Sequence, residues 1–252
     1  MKQLTLVSLY GQKEKSLAML IQECTEIIQQ SVLRQVFRPY SPNQIHGTII
    51  GMEKLIGYSK HFNANLEAIS GNKIEMDFAK LLPTLSQHLP MTIRFGGFSS
   101  EFSDFNSLGG LPYQRSFQVQ WPSNRITIIG WPHAKGDFTT TRQLNGLRDS
   151  ISATCNISHK YRDDNDLFMV LGEITSLERF SESEIEKLHP AASSVEREVR
   201  DYLASQELDV VIDLDSVSVA QYEDAKLSLD STTPFQVSNQ ELDADFISNL
   251  FI

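Results

Sequence analysis

Two short stretches of this chain pair an imidazole with a hydroxyl at the spacing that serves phosphate chemistry. The first is His46-Gly47-Thr48-Ile49, and the weaker echo is His159-Lys160-Tyr161. His46 lies in an apolar run, Ile45 to Met52, that predicts a buried strand. Residues i and i+2 of a strand point to one face, so His46 and Thr48 project side by side. A hydroxyl there donates to a non-bridging phosphate oxygen while the imidazole moves a proton. The other four histidines lack the pairing: His61, His88, His133 and His189 are followed two residues on by Asn63, Pro90, Lys135 and Ala191. Two imidazoles on either side of a phosphodiester act without a metal. One takes a proton from the attacking water or hydroxyl, and the other returns one to the leaving oxygen. Thr48 and Tyr161 would hold the oxygens on which charge builds.

Elements able to position these residues follow from periodicity. Thr5 to Tyr10 predicts a strand ended by Gly11, and Leu17, Leu20, Ile21, Cys24, Ile27 and Ile28 recur at helical spacing. Pro39 and Pro42 break the chain before the His46 strand. Lys54 to Asn72 is mixed, an inserted helix or loop. Phe78 to Leu85 predicts a helix kinked at Pro83, and Met91 to Phe98 a strand. Glu101 to Tyr113 is a polar loop. Phe117 to Trp121 and Arg125 to Trp131 predict a hairpin through Pro122-Ser123-Asn124. Leu144, Leu147 and Ile151 mark a helix, Ala153 to Tyr161 a strand carrying the second motif, and Leu167 to Ile174 a further strand. Ser181 and Glu184 form a capping box, with Pro190 restarting the helix that carries Val195, Val199, Tyr202 and Leu203. Val210 to Leu214 and Ser216 to Tyr222 are the last strands. Residues 1–237 form one domain, and 238–252 an acidic tail that is mobile or docks by a short helix.

With the motifs on these elements, the chain resembles the two-histidine phosphoesterase superfamily, the 2′–5′ RNA ligase-like and cyclic phosphodiesterase proteins. The hallmark is two His-x-Ser/Thr-apolar motifs, one in each half of a bilobed fold. The first motif here matches in full. Phe78–Leu85, Ile93–Phe98, Phe117–Trp121, Ile126–Trp131 and Leu144–Arg148 supply the elements between motifs, and Ser218 to Tyr222 a family-like closing strand. The second motif departs: Tyr161 takes the threonine position and Arg162 the apolar one. The resemblance implies an α+β, bilobed, pseudo-symmetric fold, with antiparallel sheets lining a central cleft and helices outside. It implies a metal-independent phosphodiesterase acting on a 2′,3′-cyclic phosphate or 2′–5′ phosphodiester of a nucleotide or short RNA, or the reverse ligation. His46, Thr48, His159 and Tyr161 would be catalytic, and Arg115, His133, Lys160 and Arg162 would contact substrate. Two other classes are a catalytically idle nucleotide- or RNA-end-binding module and an enzyme degrading cyclic oligonucleotide messengers.

Composition narrows the partner. The chain has 252 residues and a net charge of −10, with no basic cluster to displace counterions from long nucleic acid. A nucleotide or short oligonucleotide fits better. No cofactor or metal is expected: no Cys/His set has zinc spacing, Asp163 to Asp166 lacks the calcium-loop pattern, and Gly96-Gly97 and Gly109-Gly110 form no phosphate-binding fingerprint. Cys24 and Cys155 predict buried thiols of a reducing compartment. No membrane span or secretory signal is read, and the expectation is a cytoplasmic monomer.

Overall fold

The structure, a computed structural model, describes residues 2–138, 141–175, 177–239 and 241–251. The architecture is α+β. Strands of both halves join in one ten-stranded antiparallel sheet that does not close, with seven α-helices among the described residues.

The first half opens with β1 (Gln3–Ser8), then α1 (Lys15–Gln30). Helix α1 buries Leu17, Leu20, Ile21, Cys24 and Ile28 of the predicted stripe and leaves Ile27 partly buried at its edge. Short β2 (Phe37–Pro39) leads to β3 (Gly47–Gly51), which pairs with β1. His46 is the residue just before β3. After α2 (Ala64–Ser70), capped by Asn63, come a 3₁₀ turn and α3 (Leu81–His88). Pro83 falls in the first turn of α3, where its missing N–H has no helical partner to lose.

The second half is built from β4 (Met91–Phe95), α4 (Pro112–Ser116), β5 (Phe117–Gln120), β6 (Arg125–His133), α5 (Gln143–Cys155) and β7 (Leu167–Ile174). Strands β5 and β6 form the predicted hairpin, with Asn124 left-handed at the turn. The remaining elements are α6 (Glu182–Ala204), β8 (Leu208–Ile212), β9 (Val217–Tyr222), β10 (Thr232–Gln236) and α7 (Ala244–Asn249). The strand order is β10-β9-β1-β3-β7-β6-β4-β8, so the two halves meet where β3 crosses β7 at Gly47 and Met169. A methyl group on Gly47 would lie 2.6 Å from the Leu167 side chain of β7. That close approach explains the glycine between His46 and Thr48.

Three expectations change. The strand predicted over Ala153 to Tyr161 does not form: α5 runs through to Cys155, Asn156 turns left-handed, and the second motif lies in the loop before β7. Cys155 is fully buried and extends the helical stripe of Leu144, Leu147 and Ile151. Pro190 does not restart a helix, since α6 is continuous through it. The Glu184 side chain of the capping box lies outside the described residues. Strand β10, which sequence periodicity missed, is an edge strand holding Pro234. Residues after Ser238 dock through α7, with Leu250 and Phe251 buried and the Phe251 ring stacked on His61 at 4.8 Å. Both cysteines are buried free thiols, and no helix is long and apolar enough to cross a membrane among the described residues.

Candidate active site

Over the crossing of β3 and β7 lie two adjoining cavities. The smaller, about 240 Å³, is lined by His46, Thr48, Thr5, Arg125, Phe168 and Val170, among others. The larger, about 700 Å³, contains His159, Lys160, Tyr161, Arg115 and Asp164. Thr48, Glu53, Arg125 and Phe168 border both, so the two join into one cleft.

His46 is half-buried and oriented by its own backbone. Its Nδ1 donates to the Gln44 carbonyl at 2.7 Å, leaving the lone pair on Nε2. The Tyr10 ring lies 5.7 Å away, tilted, and braces the imidazole. Burial pushes the His46 pKa down to about 4, and the charges of Lys13 and Arg125 push the same way. The imidazole is therefore neutral at physiological pH and able to accept a proton. Thr48 lies beside it on β3. Arg125, at the start of β6, makes no ion pair among the described residues. An unpaired cation next to a neutral imidazole and a hydroxyl is a combination that accepts an anionic oxygen.

The second motif is held differently. His159 Nε2 donates to Asp164 Oδ2 at 3.0 Å, and Nδ1 is buried without a hydrogen-bond partner. Burial lowers the His159 pKa despite the neighbouring carboxylate. Neither nitrogen is offered to the cleft in this arrangement. Tyr161 is 56% exposed, packed edge-on to His159, with the Lys160 ammonium over its ring. Arg162 is exposed and borders neither cavity. Arg115 borders the larger cavity, but its guanidinium is engaged by Asp166 at 2.7 Å and Gln118 at 3.0 Å. His133 borders neither cavity: it is buried at the far end of β6, donating to Asp209 through Nε2 and accepting from Gly136 N through Nδ1. The cleft thus gathers His46, Thr48, His159, Lys160, Tyr161 and Arg115, and leaves out His133 and Arg162.

Two features escaped sequence reasoning. Arg148 of α5 is buried and donates to the carbonyls of Thr48, Ile49, Asp164 and Asp166, with an ion pair to Asp164 at 3.3 Å. It pins the His46 strand to the His159 loop. Asp166 anchors the far wall, accepting from Ser107, Arg115 and the Trp131 indole.

The second feature is which residues the pseudo-symmetry implied by the family resemblance makes equivalent. On β1 and β3 the register runs Thr5–Gly51, Leu6–Ile50, then a bulge, Val7–Thr48 and Ser8–Gly47. On β6 and β7 it runs Arg125–Glu173, Ile126–Gly172, then a bulge, Thr127–Val170 and Ile128–Met169. The bulge falls at the same step in both, and Gly47 pairs with Met169 between them. The overlay places Thr5 on Arg125, His46 on Phe168 and Thr48 on Val170. All six of these residues line the smaller cavity. The structural counterpart of His46-Gly47-Thr48 is therefore Phe168-Met169-Val170. Only the strand-pairing registers reveal it.

Among the described residues no group of three or more His, Cys, Asp or Glu side chains is arranged to hold a metal ion. No family model matches the chain, and no curated protein matches it. Two solved structures are similar over most of its length. The conserved protein of unknown function ATU0111 from Agrobacterium tumefaciens is 9% identical with a TM-score of 0.49, covering 94% of this chain and 86% of that one. Escherichia coli LigT, a two-histidine phosphoesterase solved in complex with ATP, is 10% identical with a TM-score of 0.36, covering 94% and 96%. Neither likeness carries a residue's role or an activity to this chain.

Proposed function

We propose that the cleft takes the phosphodiester of a nucleotide or short RNA end and that His46 acts on it as a general base. The observation that carries this reading is the His46–Thr48 pair, a neutral imidazole oriented by a backbone carbonyl, with an unpaired Arg125 across from it. Water attacking phosphorus gives its proton to His46 Nε2. Thr48 and Arg125 meet the charge that builds on the non-bridging oxygens. The step asks for no metal.

The leaving oxygen also needs a proton, and here the site is uneven. His159 is tied to Asp164, so solvent supplies that proton unless the tie breaks. A strained 2′,3′-cyclic phosphate demands less of the leaving step than an open 2′–5′ linkage, and it is the preferred substrate under this reading. A second reading, binding without turnover, is favoured by the His159–Asp164 bond and by Phe168 and Val170 in the second half of the cleft.

A panel of nucleoside 2′,3′-cyclic phosphates and 2′–5′-linked dinucleotides, assayed with and without chelator, separates the readings. Turnover of the cyclic phosphates, unaffected by chelator and lost in His46→Ala, supports the enzyme. Calorimetric binding of the same ligands without turnover supports the binding module. Neither binding nor turnover overturns both.

A further inference from the structure

The symmetry of the cleft gives its second half a purpose of its own. We propose that Phe168 is a specificity-determining residue, the platform on which the planar base of a bound nucleotide stacks while its phosphate rests against His46 and Thr48. This inference rests on the phosphoester reading above and names what that site would select.

Four observations point to it. Phe168 occupies the place that His46 holds in the first half, on the same face of the sheet and at the same step from the corresponding bulge. It is half-exposed, unlike its neighbours Leu167 and Met169, which are buried on the opposite face. It borders both cavities, so a ligand reaching from the smaller to the larger must cross its ring. It packs against the cluster of Phe98, Ile129 and Trp131, with its cross-strand partner Ile129 beside it on the same face, which restricts the ring before a ligand arrives.

The surroundings fit a heteroaromatic ring. Val170 next to Phe168 removes the hydroxyl that Thr48 offers in the first half, making this side of the smaller cavity apolar. Beyond Phe168 the larger cavity carries Asn65, Gln120 and Lys160, polar groups able to meet the edge of a base whose face lies on the phenyl ring. An aromatic platform beside a phosphate-holding pair is how single nucleotides are gripped without long-range charge, and it suits a chain whose net charge is −10. Stacking tolerates any base, so the expected ligand class is broad: nucleotides carrying a 2′- or 3′-phosphoester, with preference for the larger purine face.

Calorimetry on the full chain tests this with two ligands, adenosine 2′,3′-cyclic phosphate and the ribose cyclic phosphate lacking the base. Phe168→Leu keeps an apolar side chain against the Trp131 cluster and removes the aromatic face. It should weaken the nucleotide by roughly tenfold and leave the base-free ligand within about twofold. Phe168→Trp should keep or tighten nucleotide binding. The proposal is overturned if Phe168→Leu leaves nucleotide affinity unchanged, or if it weakens both ligands equally. If the wild-type chain binds neither ligand, the phosphoester reading fails and this inference with it. Binding of both ligands that depends on His46 but not on Phe168 removes this inference alone.

Discussion

The two strand–helix–strand halves of this protein share a backbone plan and differ in chemistry. In the first, β1, α1 and β3 present Thr5, His46 and Thr48; in the second, β6, α5 and β7 present Arg125, Phe168 and Val170 at the matching positions. One half offers a proton acceptor and a hydroxyl, the other a cation and an apolar wall. The second histidine of the sequence pattern enters from a loop and is held by a carboxylate. The lesson is that a motif is defined by its place in the pairing register, not by its spacing along the chain. A His-x-hydroxyl string outside the strand does not reproduce the geometry of one on it.

The sharpest way to break this comparison is to remove each imidazole in turn. His46→Ala should lower kcat/KM for a cyclic phosphodiester by about 10²–10⁴, the scale of a lost general base. His159→Ala should cost less than about tenfold, because neither of its nitrogens is offered to the cleft. Equal losses in steady-state kinetics would mean that both halves do acid–base work.

A comparable effect is expected on stability at the joint between the halves. Arg148→Met removes the guanidinium paired with buried Asp164, leaving His159 as its remaining side-chain partner, and the donors to the carbonyls of β3 and the His159 loop. Breaking such a buried pair costs about 3–5 kcal/mol, read as a lowered denaturation midpoint. A change below about 1 kcal/mol would show that the halves are held together by the sheet alone.

Smaller effects separate the hydroxyls. Thr48→Val should lower kcat/KM by roughly tenfold through one lost hydrogen bond to a charged oxygen. Tyr161→Phe should change it by about twofold or less, since that ring is exposed at the mouth of the larger cavity. A larger loss in Tyr161→Phe than in Thr48→Val would restore the second motif as a working half.

The pH dependence discriminates as well. With the His46 pKa near 4, its base form is present throughout the neutral range, and kcat/KM should fall only as pH drops through about 4. Burial of both imidazoles sets their folded pKa values below the unfolded value near 6.5. The stability each contributes is present above about 6.5 and is lost as pH falls below it toward the folded value. An acid limb at 6 to 7 would mean an exposed, ordinary histidine carries the reaction.

Much of the first half was legible in the sequence because its signals are local. The stripe from Leu17 to Ile28 and the apolar run around Thr48 each encode one element, and the Pro122-Ser123-Asn124 turn does the same for one hairpin of the second half. The second half misled because two local readings compete over Ala153 to Tyr161. Cys155 completes a helical stripe, while Ile157 alone suggests a strand, and burial of Cys155 decides for the helix. Proline gave false punctuation at Pro190, where the long α6 continues, with neighbouring His189 stacked on Trp121 at 4.4 Å. The equivalence of Phe168 with His46 has no sequence signal. It exists only through β-pairing between residues far apart in the chain, whereas the His159 string is local and lies outside the strand.

The most direct test of an uneven cleft is to watch both histidines at once. In ¹⁵N-labelled protein, the imidazole resonances of His46 and His159 are followed by NMR as adenosine 2′,3′-cyclic phosphate is added, each assigned by its alanine variant. The Nε2 resonance of His46 should shift with ligand, and both His159 nitrogens should stay where Asp164 holds them. Movement of both rings, or of His159 alone, would contradict an uneven cleft.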